Sequence, residues 1–135
     1  MKQLSYIRVF LYGMAFLLSA CHEATTQNKP YALTTVRVDS SDVHIGRISP
    51  RTSNSAQYKI HNTGNTTLHI TDILPSCECT QATYDKQDTP PGEHVTVTLT
   101  YEAEDFSGSF FRTAEVECNA ESPVILTLTG IIVNE

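Results

Sequence analysis

Four cysteines, Cys21, Cys77, Cys79 and Cys118, carry the clearest chemistry in this sequence. A thiol can accept a lipid, form or exchange a disulfide, or hold a soft metal ion. Surroundings and spacing decide which of these applies to each one.

Cys21 ends the stretch Leu18-Ser19-Ala20-Cys21, which has the form of a lipoprotein cleavage site. Lys2 and Arg8 precede it as a positive segment, and Val9 to Leu18 form an uncharged apolar run. This is the three-part pattern of a secretory signal. The run is too short to cross a bilayer, which takes about 20 residues. Residues 1–20 are therefore expected to be a removed signal peptide, with Cys21 becoming a lipidated N-terminus. An uncleaved anchor, or ordinary cleavage beside a bystander cysteine, are the alternatives. Stable anchoring takes more than one acyl chain, which a triacylated cysteine supplies. The next residue is His22 rather than Asp. In the usual sorting pattern that points to the outer membrane of a bacterial envelope rather than the inner one.

Removing Cys21 from the count leaves Cys77, Cys79 and Cys118, an odd number in an exported chain. Residues two apart on an extended strand lie about 6.6 Å apart on one face. That is near the upper limit for a disulfide. A Cys77–Cys79 bond therefore needs a turn and would be easily reduced. A bond from either one to Cys118 is sterically easier if their strands face each other, and would stabilise a small domain by about 2–4 kcal/mol. Copper or zinc capture by Cys77 and Cys79 is a second possibility, with Cys118 or a histidine helping. A redox role is the third. No basic residue neighbours Cys77 in sequence to favour its thiolate, and Glu78 opposes it. Both methionines, Met1 and Met14, lie in the leader, so none remains as a copper(I) ligand.

Other candidate groups are weaker. His61 and His69 flank Gly64 and would face each other if the chain forms a hairpin there; His44 and His94 are scattered. Glu102, Glu104 and Asp105 form an acidic group without the regular oxygen spacing of a calcium loop. Ser76 has no base beside it. No phosphate loop, G-x-S-x-G or H-E-x-x-H motif occurs. The expectation is a protein that is not an enzyme and needs no cofactor.

These residues must be positioned by strands. The candidates are Leu33 to Val38, Val43 to Ile48, Gln57 to Asn62, Thr67 to Ile73, Thr80 to Tyr84 as a short edge strand, His94 to Glu102, Phe110 to Cys118 and Val124 to Val133. In the sixth, Val95, Val97, Leu99 and Tyr101 alternate with threonines, the period-two pattern of a half-buried strand. Thr63-Gly64-Asn65 and Pro90-Pro91-Gly92 supply turns, Pro75 is expected to break the fourth strand, and Gly130 to mark a bulge. Seven or eight short strands without a helical period predict an all-β fold, an immunoglobulin-like antiparallel β-sandwich over residues 33–135. Residues 21–32 are polar and read as a tether.

Removing Lys2 and Arg8 from nine Lys plus Arg leaves seven against fifteen Asp plus Glu, a net of about −8. An acidic chain without a basic cluster argues against nucleic acid as a partner. The partners expected are the membrane, through the lipid, and another envelope protein, reached through an open sheet edge.

One segment carries a family pattern. It runs from Tyr58-Lys59-Ile60-His61-Asn62-Thr63-Gly64-Asn65 through Pro75-Ser76-Cys77-Glu78-Cys79-Thr80 and Pro91-Gly92-Glu93. It ends with Gly108-Ser109-Phe110-Phe111-Arg112-Thr113, Asn119 and Leu126-Thr127-Leu128-Thr129-Gly130. This resembles the DUF1573 family of small bacterial envelope proteins over residues 55–133. The resemblance implies an immunoglobulin-like fold and names no activity. Glu78 stands where the family usually has Gly, and Cys118 where Thr or Ser is expected.

Overall fold

A computed structural model describes residues 31–85 and 88–134. The leader and Cys21 lie outside the described residues. Eight strands follow in chain order: β1 Val36–Val38, β2 Asp42–Ile48, β3 Ser53–Asn62, β4 Ile70–Pro75, β5 Thr80–Tyr84, β6 His94–Glu102, β7 Gly108–Cys118 and β8 Val124–Ile132. They form two sheets, β1-β3-β6-β5 and β2-β8-β7-β4. The expected sandwich is the fold, and β5 is an edge strand as read from the sequence. Among the eight strands, β2 departs from antiparallel pairing and runs parallel to β8.

Alternation builds the core. Tyr58, Ile60, Val97, Leu99 and Tyr101 from one sheet face Ala114, Leu126 and Leu128 from the other, and all are nearly or fully buried. Each buried aliphatic side chain contributes about 1.5–3 kcal/mol relative to exposure. One polar contact ties the layers: the Tyr58 hydroxyl of β3 donates to the Thr127 carbonyl of β8 at 2.8 Å. Burial, helped by the negative charge of Asp42, pushes the Tyr58 phenol up to about 12. A raised folded-state value means that this contribution is complete below about pH 10 and lost as pH rises toward 12. From about pH 10 to 12, wild type should therefore lose stability more steeply with pH than the Tyr58→Phe variant, which lacks the titrating phenol. Urea midpoints from pH 8 to 12 measure this, and parallel curves for the two proteins would contradict it.

Several local expectations are corrected. The strand expected over Thr67 to Ile73 begins at Ile70. Leu68 instead bridges Thr89, because the chain is crossing between the sheets there. Pro75 is the last residue of β4 rather than a break before its end. An edge strand tolerates a proline on the side with no ladder bond to lose. Gly130 is not a bulge, since β8 keeps its register against β7 from Val124 to Ile132. The irregularity is in β2, between His44 and Arg47, where Gly46 has φ +79°. Finally, Tyr31 and Ala32 are not tether: the Tyr31 ring stacks on His69, and the Ala32 carbonyl accepts from Asn119.

Two buried asparagines close the end where the chain enters. The Asn62 carbonyl oxygen accepts from the Thr34 hydroxyl (2.8 Å) and the Gly64 amide (3.2 Å). Its amide donates to the carbonyls of Thr66 (2.8 Å) and Thr89 (2.9 Å). Asn119 accepts from the His69 amide and donates to the carbonyls of Ala32 and Thr67. A side chain with four hydrogen-bonding positions thus holds three loops that have no ladder of their own.

Candidate functional site

The opposite end gathers three connections. Arg51 and Thr52 exchange backbone bonds with Ala103, and the Glu102 amide donates to the Cys79 carbonyl at 2.8 Å. The Ser76 amide donates to Thr113 of β7, whose own amide donates to the Ser76 hydroxyl. Cys77, Glu78, Cys79 and Thr80 form a β-turn here, closed by the Thr80 amide on the Cys77 carbonyl at 3.2 Å. The turn shortens the Cys77–Cys79 Cα separation to 5.2 Å, and the two are joined as a disulfide. Glu78 points to solvent at its tip and both sulfurs are half-buried.

This corrects the sterically easier pairing expected from the sequence. Cys118 is a free, half-buried thiol. It lies five residues along β7 from Thr113, the residue bonded to Ser76, or about 17 Å in an extended strand. Neither Cys77 nor Cys79 reaches it. Burial pushes the Cys118 thiol up, so it is a poor nucleophile at neutral pH.

The side chain that sequence proximity missed is Arg112. It sits midway along β7 in the inward-facing set with Phe110 and Ala114, two residues before Ala114, which pairs with Pro75 at the end of β4. Its Nε–H donates to Cys79 Sγ at 3.2 Å. Its guanidinium carbon stands 5.3 Å from the Tyr101 ring centroid, in cation–π range. Glu104 pairs with its far nitrogen, and the Tyr101 hydroxyl reaches the same carboxylate at 3.4 Å. Tyr101 in turn stacks on Phe110 with centroids 4.4 Å apart. The Thr80 hydroxyl lies 3.4 Å from Cys77 Sγ. Arg112 is 33 residues from Cys79 in the chain, so the signal available in the sequence was its place in the Phe-Phe-Arg-Thr segment and not its spacing.

The remaining candidates are dispersed. His61 and His69 do not face each other, because the chain leaves one sheet at Asn62 and enters the other at Ile70. His61 pairs with His94 across β3 and β6, with ring centroids 5.3 Å apart, and bonds Asp39 at 2.9 Å. His61, then Arg37, holds the Asp39 carboxyl below its usual range. His69 bonds Asp88 at 2.6 Å, and His44 lies 3.1 Å from the Thr129 hydroxyl. The acidic group is spent on separate partners: Glu102 on Ser53, Glu104 on Arg112 and Asp105 on Arg51. Among the described residues, no three His, Cys, Asp or Glu side chains are grouped to share a metal ion.

Residues 36–132 match the model of the family described as "Protein of unknown function (DUF1573)". The chain belongs to the DUF1573 family. No curated protein matches it. Solved structures agree on the fold of this DUF1573 protein. A protein of unknown function from Porphyromonas gingivalis W83 is similar at TM-score 0.65 and 15% identity, over 76% of this chain and 48% of that one. The DUF1573 chain thus spans about half the length of that relative. The ASH/PapD-like domain 7 of human CEP192 is similar at TM-score 0.60 and 14% identity, over 87% and 98% of the two chains. The secreted serine protease VesC from Vibrio cholerae contains a similar region, at TM-score 0.57 and 11% identity, over 75% and 24%. At these identities the likeness concerns architecture alone, and one sandwich architecture hosts many activities.

Proposed function

We propose that this DUF1573 protein is an envelope lipoprotein, anchored through Cys21, whose sandwich is a non-enzymatic binding module for another envelope protein. One observation carries the reading: the two ends of the sandwich are different. The chain enters at the end closed by Asn62 and Asn119, where Tyr31, Ala32 and Thr34 are held. The Cys77–Cys79 turn and its companion loops occupy the opposite end. A lipid on Cys21 would therefore turn the disulfide end away from the membrane. The open edge of β5 begins at that same turn, and an unpaired strand edge is a ready template for a partner's strand.

The anchor and the contact are tested separately. Cys21→Ser should abolish palmitate labelling and move the protein from the membrane to the soluble fraction. Retained labelling would contradict the anchor. A photo-reactive side chain at Glu78 should capture a partner protein in living cells, whereas one at Glu121, at the entry end, should not. Equal capture at both positions would contradict the orientation.

A second reading, a thiol-based redox site, is favoured by the Cys77–Cys79 bond itself. Closing so short a loop restricts the unfolded chain by only about 1.6 kcal/mol, and the bond ties together no two distant elements. Its chemistry therefore has more to offer than its contribution to stability.

A further inference from the structure

Resting on that second reading, we propose that the Cys77–Cys79 bond is a thiol–disulfide exchange site that accepts electrons from a dithiol, with Cys77 the sulfur attacked and Cys79 the leaving thiolate. The two sulfurs sit in unequal surroundings. Cys79 Sγ receives the Nε–H of Arg112 at 3.2 Å. Cys77 Sγ is met only by the neutral Thr80 hydroxyl at 3.4 Å among the polar contacts of the described residues. A guanidinium stabilises a thiolate more than a hydroxyl does. The sulfur with the more stable thiolate leaves faster, so attack falls on its partner.

The guanidinium is held in place for this. Glu104 pairs with its other side and Tyr101 lies beneath it, itself stacked on Phe110. Glu104 offsets part of the positive charge, but the Nε–H directed at sulfur is a separate donor. Glu78 is exposed at the turn's tip, adjacent in sequence to both cysteines.

The exchange balances as follows. A donor thiolate attacks Cys77 Sγ. The Cys77–Cys79 bond breaks, and its electron pair leaves on Cys79 while a mixed disulfide forms between the donor and Cys77. The donor's second thiolate then attacks the donor sulfur of that mixed disulfide, and Cys77 leaves. The two protons shed by the donor end on Cys77 and Cys79. Two electrons have passed, the donor is now a disulfide and the protein a dithiol. The short spacing selects the donor class. In a mixed disulfide with a monothiol, Cys79 stays in the same turn, so its effective concentration is high and it expels the monothiol. A dithiol competes because its second attack is also intramolecular.

The test uses the mature chain, with glutathione as monothiol probe and dithiothreitol as dithiol probe. Acid quenching, alkylation and peptide mapping should place the glutathione adduct on Cys77 and the alkyl group on Cys79. Dithiothreitol should reduce the bond to completion where equal thiol from glutathione does not. Arg112→Gln should slow the dithiothreitol reaction about tenfold, the rate equivalent of one weak charge-assisted hydrogen bond, and Arg112→Lys should recover part of it. Circular dichroism of both variants checks that the fold survives. An adduct shared equally between the sulfurs, or an unchanged rate in a folded Arg112→Gln, would overturn the assignment and leave the redox reading standing. Absence of the Cys77–Cys79 bond from the mature protein would overturn both.

Discussion

Asn62→Ala should lower the unfolding free energy by about 3–4 kcal/mol, among the largest effects a single residue can have in this fold. Asn62 is 1% exposed, and all four of its hydrogen-bonding positions are used, by Thr34, Gly64, Thr66 and Thr89. Truncation leaves two carbonyls, a hydroxyl and an amide short of partners, and each buried orphan costs about 1–3 kcal/mol. The estimate sits below the simple sum because Thr34 keeps a bond to the Thr66 carbonyl and water can reach part of the corner. Asn62→Asp should be nearly as damaging, since a carboxylate accepts but does not donate and its charge would be buried. Urea unfolding of the mature domain measures both. A loss under about 1 kcal/mol in either would mean that the corner is held by something other than this side chain.

Gly130→Ala should cost about 2–3 kcal/mol and weaken the disulfide site as well. A Cβ at Gly130 would stand 2.7 Å from Phe110 ring atoms and 2.9 Å from the Gly46 carbonyl. The ring could yield only by moving against Tyr101, and the carbonyl belongs to the β2 bulge. Overpacking of this kind typically costs about 1–3 kcal/mol. Displacing Phe110 displaces Tyr101, which supports Arg112. The variant should therefore unfold earlier in heat and, below its transition, reduce more slowly with dithiothreitol. Normal stability would show that the sheet absorbs a methyl group here; earlier unfolding alone, with an unchanged reduction rate, would uncouple Phe110 from the site.

The strands were readable because burial imposes period two on them. Val95, Val97, Leu99 and Tyr101 alternate with Thr96, Thr98 and Thr100, and the first four are the buried ones. The same logic located β3, β7 and β8 to within a few residues. What it does not encode is which sheet a strand joins. The stretch around Gly64 reads as a hairpin turn, yet Gly64 packs against Thr34, where a Cβ would fall 2.1 Å from its hydroxyl. That close approach requires glycine in a crossover corner as much as a hairpin would, and it is the crossover that separates His61, on β3, from His69, just before β4 of the other sheet. The bulge was misplaced for a related reason: Gly130 is demanded by contact and Gly46 by backbone angle, and sequence alone does not distinguish the two demands.

The site was half legible. Cys77 and Cys79 stood out by type, and an extended spacing argued against their bonding each other. The turn closed by the Thr80 amide overturns that, and a turn of one hydrogen bond leaves little trace in sequence when Glu78 occupies its tip. Arg112 was invisible as a neighbour because it stands 33 residues further along the chain than Cys79, on the strand that pairs with β4, which leads into the turn.

The sandwich holds its disulfide between Cys77 and Cys79, and Cys118 stands apart. The most direct measurement is a tryptic map of the mature chain under non-reducing conditions, after blocking free thiols. Cleavage after Lys59, Lys86 and Arg112 places Cys77 and Cys79 in one peptide and Cys118 in another. The first peptide should be unblocked and lighter than its reduced form by two hydrogens, and Cys118 alone should carry the label once the fold is opened. A cross-linked pair of peptides, joining Cys118 to Cys77 or Cys79, or label on all three cysteines, would contradict this pairing.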